Sequence, residues 1–438
     1  MKPTECAACK APSEQLSAFD PGLDTHGISI FGCRSCGSFT MWPQPDKDYS
    51  AHTTETSAWR DYVEMNCSIH DIVSSVMPAV YAGTAQRYLD VGCGFGFSLD
   101  IVRRLTRSEV LGVEPAHYGQ LGRELLGIPV LSVTLAGGPE TRREPELRDP
   151  FDVIFSSEVV EHVTDPDGFL GTLKAYLRPD GILAITTPRA EALNEPRRNN
   201  EKLAVISPGA HVFLYSRAAL LDALRRAGFD HIVVREANVT RIVYASTRPL
   251  AIPEMDAGVA TMQYLRLALG EGDPRDTVKT GLQYRLYRNL VERADWAGAS
   301  ELDEEIEFVQ APESLRYDRY SDFLQDYRAC DPTLCYLRGM LYLNYRGAYE
   351  DSRDWFLSAF RFCVEKLRIA PGEAIVESDL VWRALFHAAL AARHAGLPDQ
   401  VRSIWVKSEM ARSVGFLPPI PEDIISRLED DLHLHSIT

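Results

Sequence analysis

The chain contains no apolar run approaching the ~18 residues that cross a bilayer, and nothing at its start follows the basic-then-apolar pattern of a secretory leader. Together these absences point to a cytoplasmic protein without a membrane span. Positive charge is also in short supply. Against 46 Lys and Arg stand 62 Asp and Glu, a formal net charge of −16. Affinity for nucleic acid comes largely from neutralising phosphates, so this balance argues against an RNA or DNA partner. What remains is the composition of a globular protein, 45% hydrophobic and 25% charged over 438 residues. At one domain per ~150 residues, that length suggests about three domains and a sizeable core.

Nine cysteines fall into two groups. Cys6, Cys9, Cys33 and Cys36 form two C-x-x-C pairs, each able to offer two thiolates to one tetrahedral metal from a tight turn. Two disulfides are the alternative, which a reducing cytosol disfavours. Four thiolates close the coordination shell, so a zinc ion there is structural and takes no part in catalysis. His26, alone between the pairs, reads as a loop residue. Cys67, Cys93, Cys330, Cys335 and Cys363 are scattered and read as small buried hydrophobes.

The stretch from Arg87 to Pro115 organises the rest. Two apolar runs, Tyr88 to Val91 and Val110 to Val113, flank a segment with helical spacing at Phe97, Ile101, Val102 and Leu105, giving a strand–helix–strand unit. Asp90 lies near the end of the first strand, and Gly92, Gly94 and Gly96 follow in the pattern G-x-G-x-G, with Cys93 inside the loop. Glycines allow unusual backbone turns and let a ligand lie against the chain, facing a helix N-terminus. Glu114, followed by Pro115, ends the second strand where a doubly wound sheet holds a ribose by its hydroxyls. Taken alone, the glycine spacing suits NAD as well as S-adenosylmethionine, or a plain tight turn.

Further on, Phe151 to Pro188 reads as a buried strand, a loop, a helix, a turn at Pro179-Asp180-Gly181 and a second buried strand. LDVGCGFG, then Glu161-His162-Val163, then LRPDG, and finally His211 to Phe229 occur in an order that resembles class I S-adenosylmethionine-dependent methyltransferases of the EHV-motif group. The resemblance covers residues 85 to 247. It implies an α/β, Rossmann-like fold with a seven-stranded sheet and a cofactor cradle of Asp90, Gly92, Cys93, Gly94, Gly96, Glu114 and Pro115. Ser156, Ser157 and Glu158 end strand four, facing the reacting end of the cofactor. Glu158 either handles a substrate proton or caps the next helix, and His162 either packs or takes part. His211 stands where relatives carry a His near the transferred methyl and is the chosen base, with Tyr215 as a second positioning candidate; capping of the next helix is the alternative role for His211. One departure is that the third strand ends Leu131-Ser132-Val133-Thr134, without the Asp that many relatives use for the adenine.

Three parts follow: residues 1–50, whose CGSFTMWPQPDKDY resembles the zinc-binding lobe ahead of many sugar and natural-product methyltransferases; 51–248, the methyltransferase domain; and 249–438, a helical tail. Within the second, residues 50 to 86 carry apolar positions at helical spacing that would cover the sheet edge before strand one. The loop after strand five, with Arg189, Arg197, Arg198 and Lys202, reads as an active-site lid whose cations either meet a substrate phosphate or lie in solvent. Three helix–turn–helix units appear in the tail, around Tyr284 to Phe308, Leu334 to Phe362 and Val381 to Met410. The middle one has Gly339, Tyr342, Ser352, Phe356 and Ala359 near tetratricopeptide offsets. Such stacks usually bind protein, here a second copy or a biosynthetic partner enzyme. The resemblance implies methyl transfer to a small-molecule acceptor, a hydroxyl or carbon of a sugar, nucleotide sugar or glycan end. A protein or RNA methyltransferase and a non-catalytic scaffold are the alternatives.

Overall fold

Spacing of the thiols closes two tight knuckles early in the chain. The computed structural model describes residues 3–44, 58–66, 68–83, 85–141, 143–197, 199–270, 276–372, 374–412, 415–424 and 426–427. The readings made for Cys67 and Arg198 fall outside these. In the first knuckle the Lys10 amide donates to the Cys6 carbonyl (2.9 Å), and in the second the Gly37 amide donates to that of Cys33 (2.8 Å). Each turns through a left-handed residue directly after its second cysteine, Lys10 at φ 60° and Gly37 at φ 76°.

Eleven strands are described: β1 (Leu16–Phe19), β2 (Ser29–Cys33), β3 (Phe39–Trp42), β4 (Arg87–Val91), β5 (Glu109–Val113), β6 (Val130–Leu131), β7 (Phe151–Ser157), β8 (Leu177–Pro188), β9 (Phe213–Leu214), β10 (His231–Ala237) and β11 (Thr240–Ser246). They build a four-stranded sheet, β1-β2-β3-β9, and a seven-stranded one, β10-β11-β8-β7-β4-β5-β6. In the larger sheet β4 to β8 are parallel, while β11 runs antiparallel to both β8 and β10. The chain steps outward from β4 to β5 and β6, then returns to the other flank of β4 as β7. That reversal opens a crevice at the carboxyl ends of β4 and β7, the place where open α/β sheets bind ligands. This is the Rossmann-like seven-stranded fold expected from the sequence.

The turn expected at Pro179-Asp180-Gly181 is present as an interruption inside β8. Leu177 pairs with Phe151 and Ile182 with Val153, so Arg178 to Gly181 bulge out opposite Asp152. Arg178 fixes the bulge by an ion pair to Asp152 (2.6 Å). The strands are almost wholly apolar because helices cover them: Leu89, Ile154, Leu183 and Val243 lie in one core with Leu170, Leu173, Leu220 and Leu224.

Two compact units result, Met1–Thr53 with Ser68–Tyr264, and Thr54–Cys67 with Leu265–Thr438. Residues 50 to 86, expected as one approach region, therefore divide at Ser68. Ile69–Ala82 forms a helix over β7 and β8, and the Tyr244 hydroxyl donates to its Ser75 carbonyl (2.9 Å). Ala58–Asn66 instead packs within the helical unit, burying Val63 and Met65 and setting two acids among polar partners. Asp61 bonds to Lys366 (2.9 Å) and accepts from the Tyr320 hydroxyl (2.8 Å), while the Glu64 carboxylate accepts from the Ala329 amide (2.6 Å). A Cβ on Gly281 would stand 2.3 Å from the Val63 carbonyl, so that helix position has no room for a side chain.

Helices pair across short turns in the second unit: Asp276–Glu292 with Trp296–Asp303, Asp331–Leu341 with Tyr349–Ile369, and Ile375–His394 with Pro398–Arg412. Gly339 allows the middle pair to close, since a Cβ there would meet the Phe356 ring at 2.7 Å. Ser352 ties the same pair by donating to the Gly339 carbonyl (2.9 Å). Upstream, the Tyr264 hydroxyl donates to Asp100 (2.9 Å), so the helix Ala257–Gly270 begins in the first unit.

Candidate functional site

The glycines of the β4 loop are needed for two different reasons. Gly92, Gly94 and Gly96 all have positive φ (76°, 52° and 77°). Around Gly92 and Gly96 the space is taken, a Cβ meeting Val159 Cγ2 at 2.5 Å or Ile128 Cδ1 at 2.2 Å, whereas nothing lies within 4 Å of the same point on Gly94. Gly94 thus leaves an open floor. Its amide donates to Glu114 Oε2 (3.0 Å), and the Ala116 amide donates to Oε1 (2.9 Å), which fixes the carboxylate beside that floor. Each carboxylate oxygen keeps a second lone pair for a ligand hydroxyl.

Asp90 is 3% exposed, and its Oδ2 accepts from the Ser98 hydroxyl at the start of the helix Phe97–Thr106. Oδ1 has no hydrogen-bond partner. Burial pushes this carboxyl up to about 7, the Ser98 bond opposing and the Glu114 charge adding. Burial also raises Glu114. An orphaned buried oxygen, an open glycine floor and a braced carboxylate fit a polar, ribose-bearing cofactor. Helix Phe97–Thr106 directs its N-terminus at the same loop. Cys93 is half-buried, its sulfur against Gly112, and Pro115 continues from Glu114.

Of the strand-four residues, Ser156 is spent on structure, its hydroxyl donating to the Val91 carbonyl across the sheet (3.1 Å). This corrects the expectation that it faces the cofactor. Ser157 shares a hydrogen bond with Thr186 (2.7 Å), which donates to Glu158 (2.9 Å). Glu158 adopts a left-handed φ of 54° and keeps solvent access although protein surrounds it on most sides. That crowding raises its carboxyl to about 7, with the hydrogen bonds to Thr186 and Glu161 opposing the rise.

Glu161, quoted in the sequence only as part of a motif, becomes central. It is completely buried, and Oε2 accepts from the Thr187 hydroxyl (3.0 Å). Oε1 has no hydrogen-bond partner and stands 3.9 Å from His211 Nε2. Burial drives its carboxyl strongly up, with the Glu158 charge adding to the rise. His211 and His162 face each other edge-on at 4.8 Å. Both engage a backbone carbonyl through Nδ1, His211 that of Val205 (2.8 Å) and His162 that of Ala210 (3.0 Å). A carbonyl can only accept, so Nδ1 carries the proton and Nε2 the lone pair in each neutral ring. One oxygen of Glu161 and one nitrogen from each histidine lie within 4.8 Å of one another, compact enough to share a proton or ligate a cation. Val159 packs on Gly92, so this group adjoins the cradle.

Tyr215 does not join this group in the way expected. It is fully buried in the apolar core with Phe213, Cys6 and Cys33, and its hydroxyl has no hydrogen-bond partner. Two of the lid cations, Arg189 and Arg197, are bonded within the protein. Both bond to Glu195 (3.0 and 2.6 Å), and Arg197 also bonds to Asn238 (2.6 Å). The segment between β8 and His211 is a short 3₁₀ turn and a helix, Asn199–Ile206, rather than an open loop.

The four early cysteines come together, with Cys6 and Cys36 sulfurs 3.8 Å apart and those of Cys9 and Cys33 3.7 Å apart. A disulfide needs about 2.05 Å. A tetrahedral ion with bonds of about 2.3 Å sets its ligands about 3.8 Å apart, so the cluster fits one. Burial raises the Cys9 thiol to about 11, a cost that a bound cation would offset. His26 is exposed and pairs with Asp24 (3.6 Å), as a loop residue would.

Residues 62–234 match the family model described as "Methyltransferase domain". Among curated proteins, the chain is 35% identical over 101 residues to a ubiquinone biosynthesis O-methyltransferase of Bradyrhizobium sp. (strain ORS 278), covering 23% of this chain and 39% of that one. It is 33% identical over 107 residues to a protein of the same name from Rhizobium rhizogenes, 23% and 40% of the two lengths. The chain thus spans about two-fifths of the length of these relatives. Among solved structures, an O-methyltransferase family protein from Burkholderia thailandensis is 16% identical with a TM-score of 0.37, covering 46% of this chain and 62% of that one. With strand order, cradle and family match in agreement, residues 62–234 are a class I, S-adenosylmethionine-dependent methyltransferase domain.

Proposed function

We propose that the chain methylates a hydroxyl of a small-molecule acceptor, a sugar, nucleotide sugar or glycan end, with His211 as general base. One observation carries this reading: Glu161, His162 and His211 gather beside the glycine cradle, at the carboxyl ends of the strands. S-adenosylmethionine supplies a methyl group on a sulfonium, activated for in-line displacement. The chain aligns the acceptor and receives its proton. His211 Nε2 takes that proton, and an ionised Glu161 at 3.9 Å steadies the imidazolium. Thr187 holds Glu161, and the Val205 carbonyl keeps the ring in the accepting tautomer. Glu158, exposed just beyond the end of β7, orients the acceptor. The four thiols hold a structural zinc ion, and the paired helices of the second unit act as a tetratricopeptide-like dock for a protein or a second copy. A phenolic acceptor is the second reading, favoured by the ubiquinone biosynthesis enzymes among the relatives.

His211→Ala should keep S-adenosylmethionine affinity while turnover falls ~10²- to 10⁴-fold. Panels of nucleotide sugars and catechol-type phenols decide between acceptors. Persisting turnover would remove His211 from its role.

A further inference from the structure

Strand β9 sits directly after His211, yet it belongs to the four-stranded sheet of the cysteine lobe and not to the sheet that carries the cradle. Phe39 pairs with Leu214 and Thr40 with Phe213. Just upstream, the Met41 amide donates to the Val212 carbonyl (3.0 Å), while the Val212 amide donates to the Glu161 carbonyl (2.8 Å). The residue next to His211 is therefore clamped, with β3 on one side and the turn carrying Glu161 on the other. Downstream, the Ser216 amide donates to the buried Ser38 hydroxyl (3.0 Å), and the Ser216 hydroxyl donates to the carbonyl of Cys36 itself (2.5 Å). From residue 212 to 216, these ties run to Cys36, Ser38, Phe39, Thr40 and Met41, all within five residues of the last cysteine of the lobe.

Resting on the reading of His211 as base, we propose that the four-thiol lobe is the positioning element for that base. An ion held by the lobe locks the hairpin of β2 and β3, and the hairpin sets where the imidazole stands. Ser38 and Ser216 are the positioning residues that transmit this. Asp90 and Glu114 take their partners from Ser98, Gly94 and Ala116, none of which lies in the lobe. Cofactor binding and base placement thus depend on different parts of the chain, and the lobe should govern one without the other.

The test uses the full chain loaded with zinc, with isotope-labelled histidine. Removing the ion with a chelator should leave S-adenosylmethionine affinity within about twofold, lower kcat by about tenfold to a hundredfold, and shift or broaden the His211 ring resonance. Ser216→Ala keeps all four thiols, so zinc stoichiometry should stay at one per chain while kcat falls about tenfold. Ser216→Thr, which retains the hydroxyl, should restore it. Unchanged kcat and an unchanged His211 resonance in the metal-free protein would overturn the proposal. So would a parallel loss of cofactor binding, since the lobe would then support the whole domain. If the loaded wild type transfers no methyl group at all, the proposed function fails, and the histidine resonance still decides whether the lobe sets the ring.

Discussion

Both compact units bury acidic side chains, and pairing separates those at the site from the rest. In the first unit Asp100 meets Arg103 and Arg104 (2.7 and 2.9 Å), whereas Asp90 and Glu161 meet no Lys or Arg among the described residues. In the helical unit each buried acid has a cation. Asp303 meets Arg338 and Arg346 (both 3.1 Å), Asp331 meets Arg328 (2.7 Å), and Lys366 lies between Asp61 (2.9 Å) and Glu377 (3.2 Å). Burial alone would lower the Lys366 ammonium, but the two carboxylates hold it above its usual range. In the first unit Asp90 and Glu161 are equally buried, each keeps one oxygen without a hydrogen-bond partner, and burial raises both. Buried charge that is paired marks architecture, whereas buried charge left short of partners at a strand end marks a site.

Three substitutions sharpen that contrast. Lys366→Met leaves Asp61 and Glu377 uncompensated, and urea unfolding should register a loss of ~3–5 kcal/mol; a loss under ~1 kcal/mol would deny that the pairing is architectural. For Asp90 the sign runs the other way. Its folded pKa is raised from 3.8 to about 7, so its contribution to stability is fully present below pH ~4 and is lost as the pH climbs through about 7, on the order of 4 kcal/mol. Asp90→Asn should flatten that slope in thermal unfolding of the cofactor-free protein and make it the more stable form at pH 8. A slope identical to wild type contradicts the assignment. Glu161→Gln should lower kcat about a hundredfold and shift the acid limb of its pH profile to lower pH, because the imidazolium of His211 loses the carboxylate that steadies it. Melting at pH 8 should be unchanged or raised; a collapsed fold would move Glu161 from the site to the scaffold.

Much of this was legible in the sequence, for identifiable reasons. Glycines in positive φ, an acid within one apolar run and another after the next, and paired C-x-x-C motifs are local signals; Glu114 meets the Gly94 amide, and the four cysteines form one cluster. Contacts distant in sequence were not legible. That Ala58–Asn66 packs with helices beyond residue 276 depends on Asp61, Glu64 and Lys366 meeting, and no spacing announces it. Tyr215 and Ser156 carry polar groups at suggestive positions, yet one packs into the apolar core beyond β9 and the hydroxyl of the other is taken by the Val91 carbonyl. The two threonines ending strand five, Thr186 and Thr187, were the overlooked clue to Glu158 and Glu161.

Calorimetric titration of the zinc-loaded chain with S-adenosylmethionine, beside Glu114→Ala and beside NAD, tests the central claim most directly. Saturable one-site binding that weakens at least about tenfold in Glu114→Ala, with no heat from NAD, is the predicted result. A folded protein that ignores S-adenosylmethionine, or that binds NAD in its place, would contradict the account.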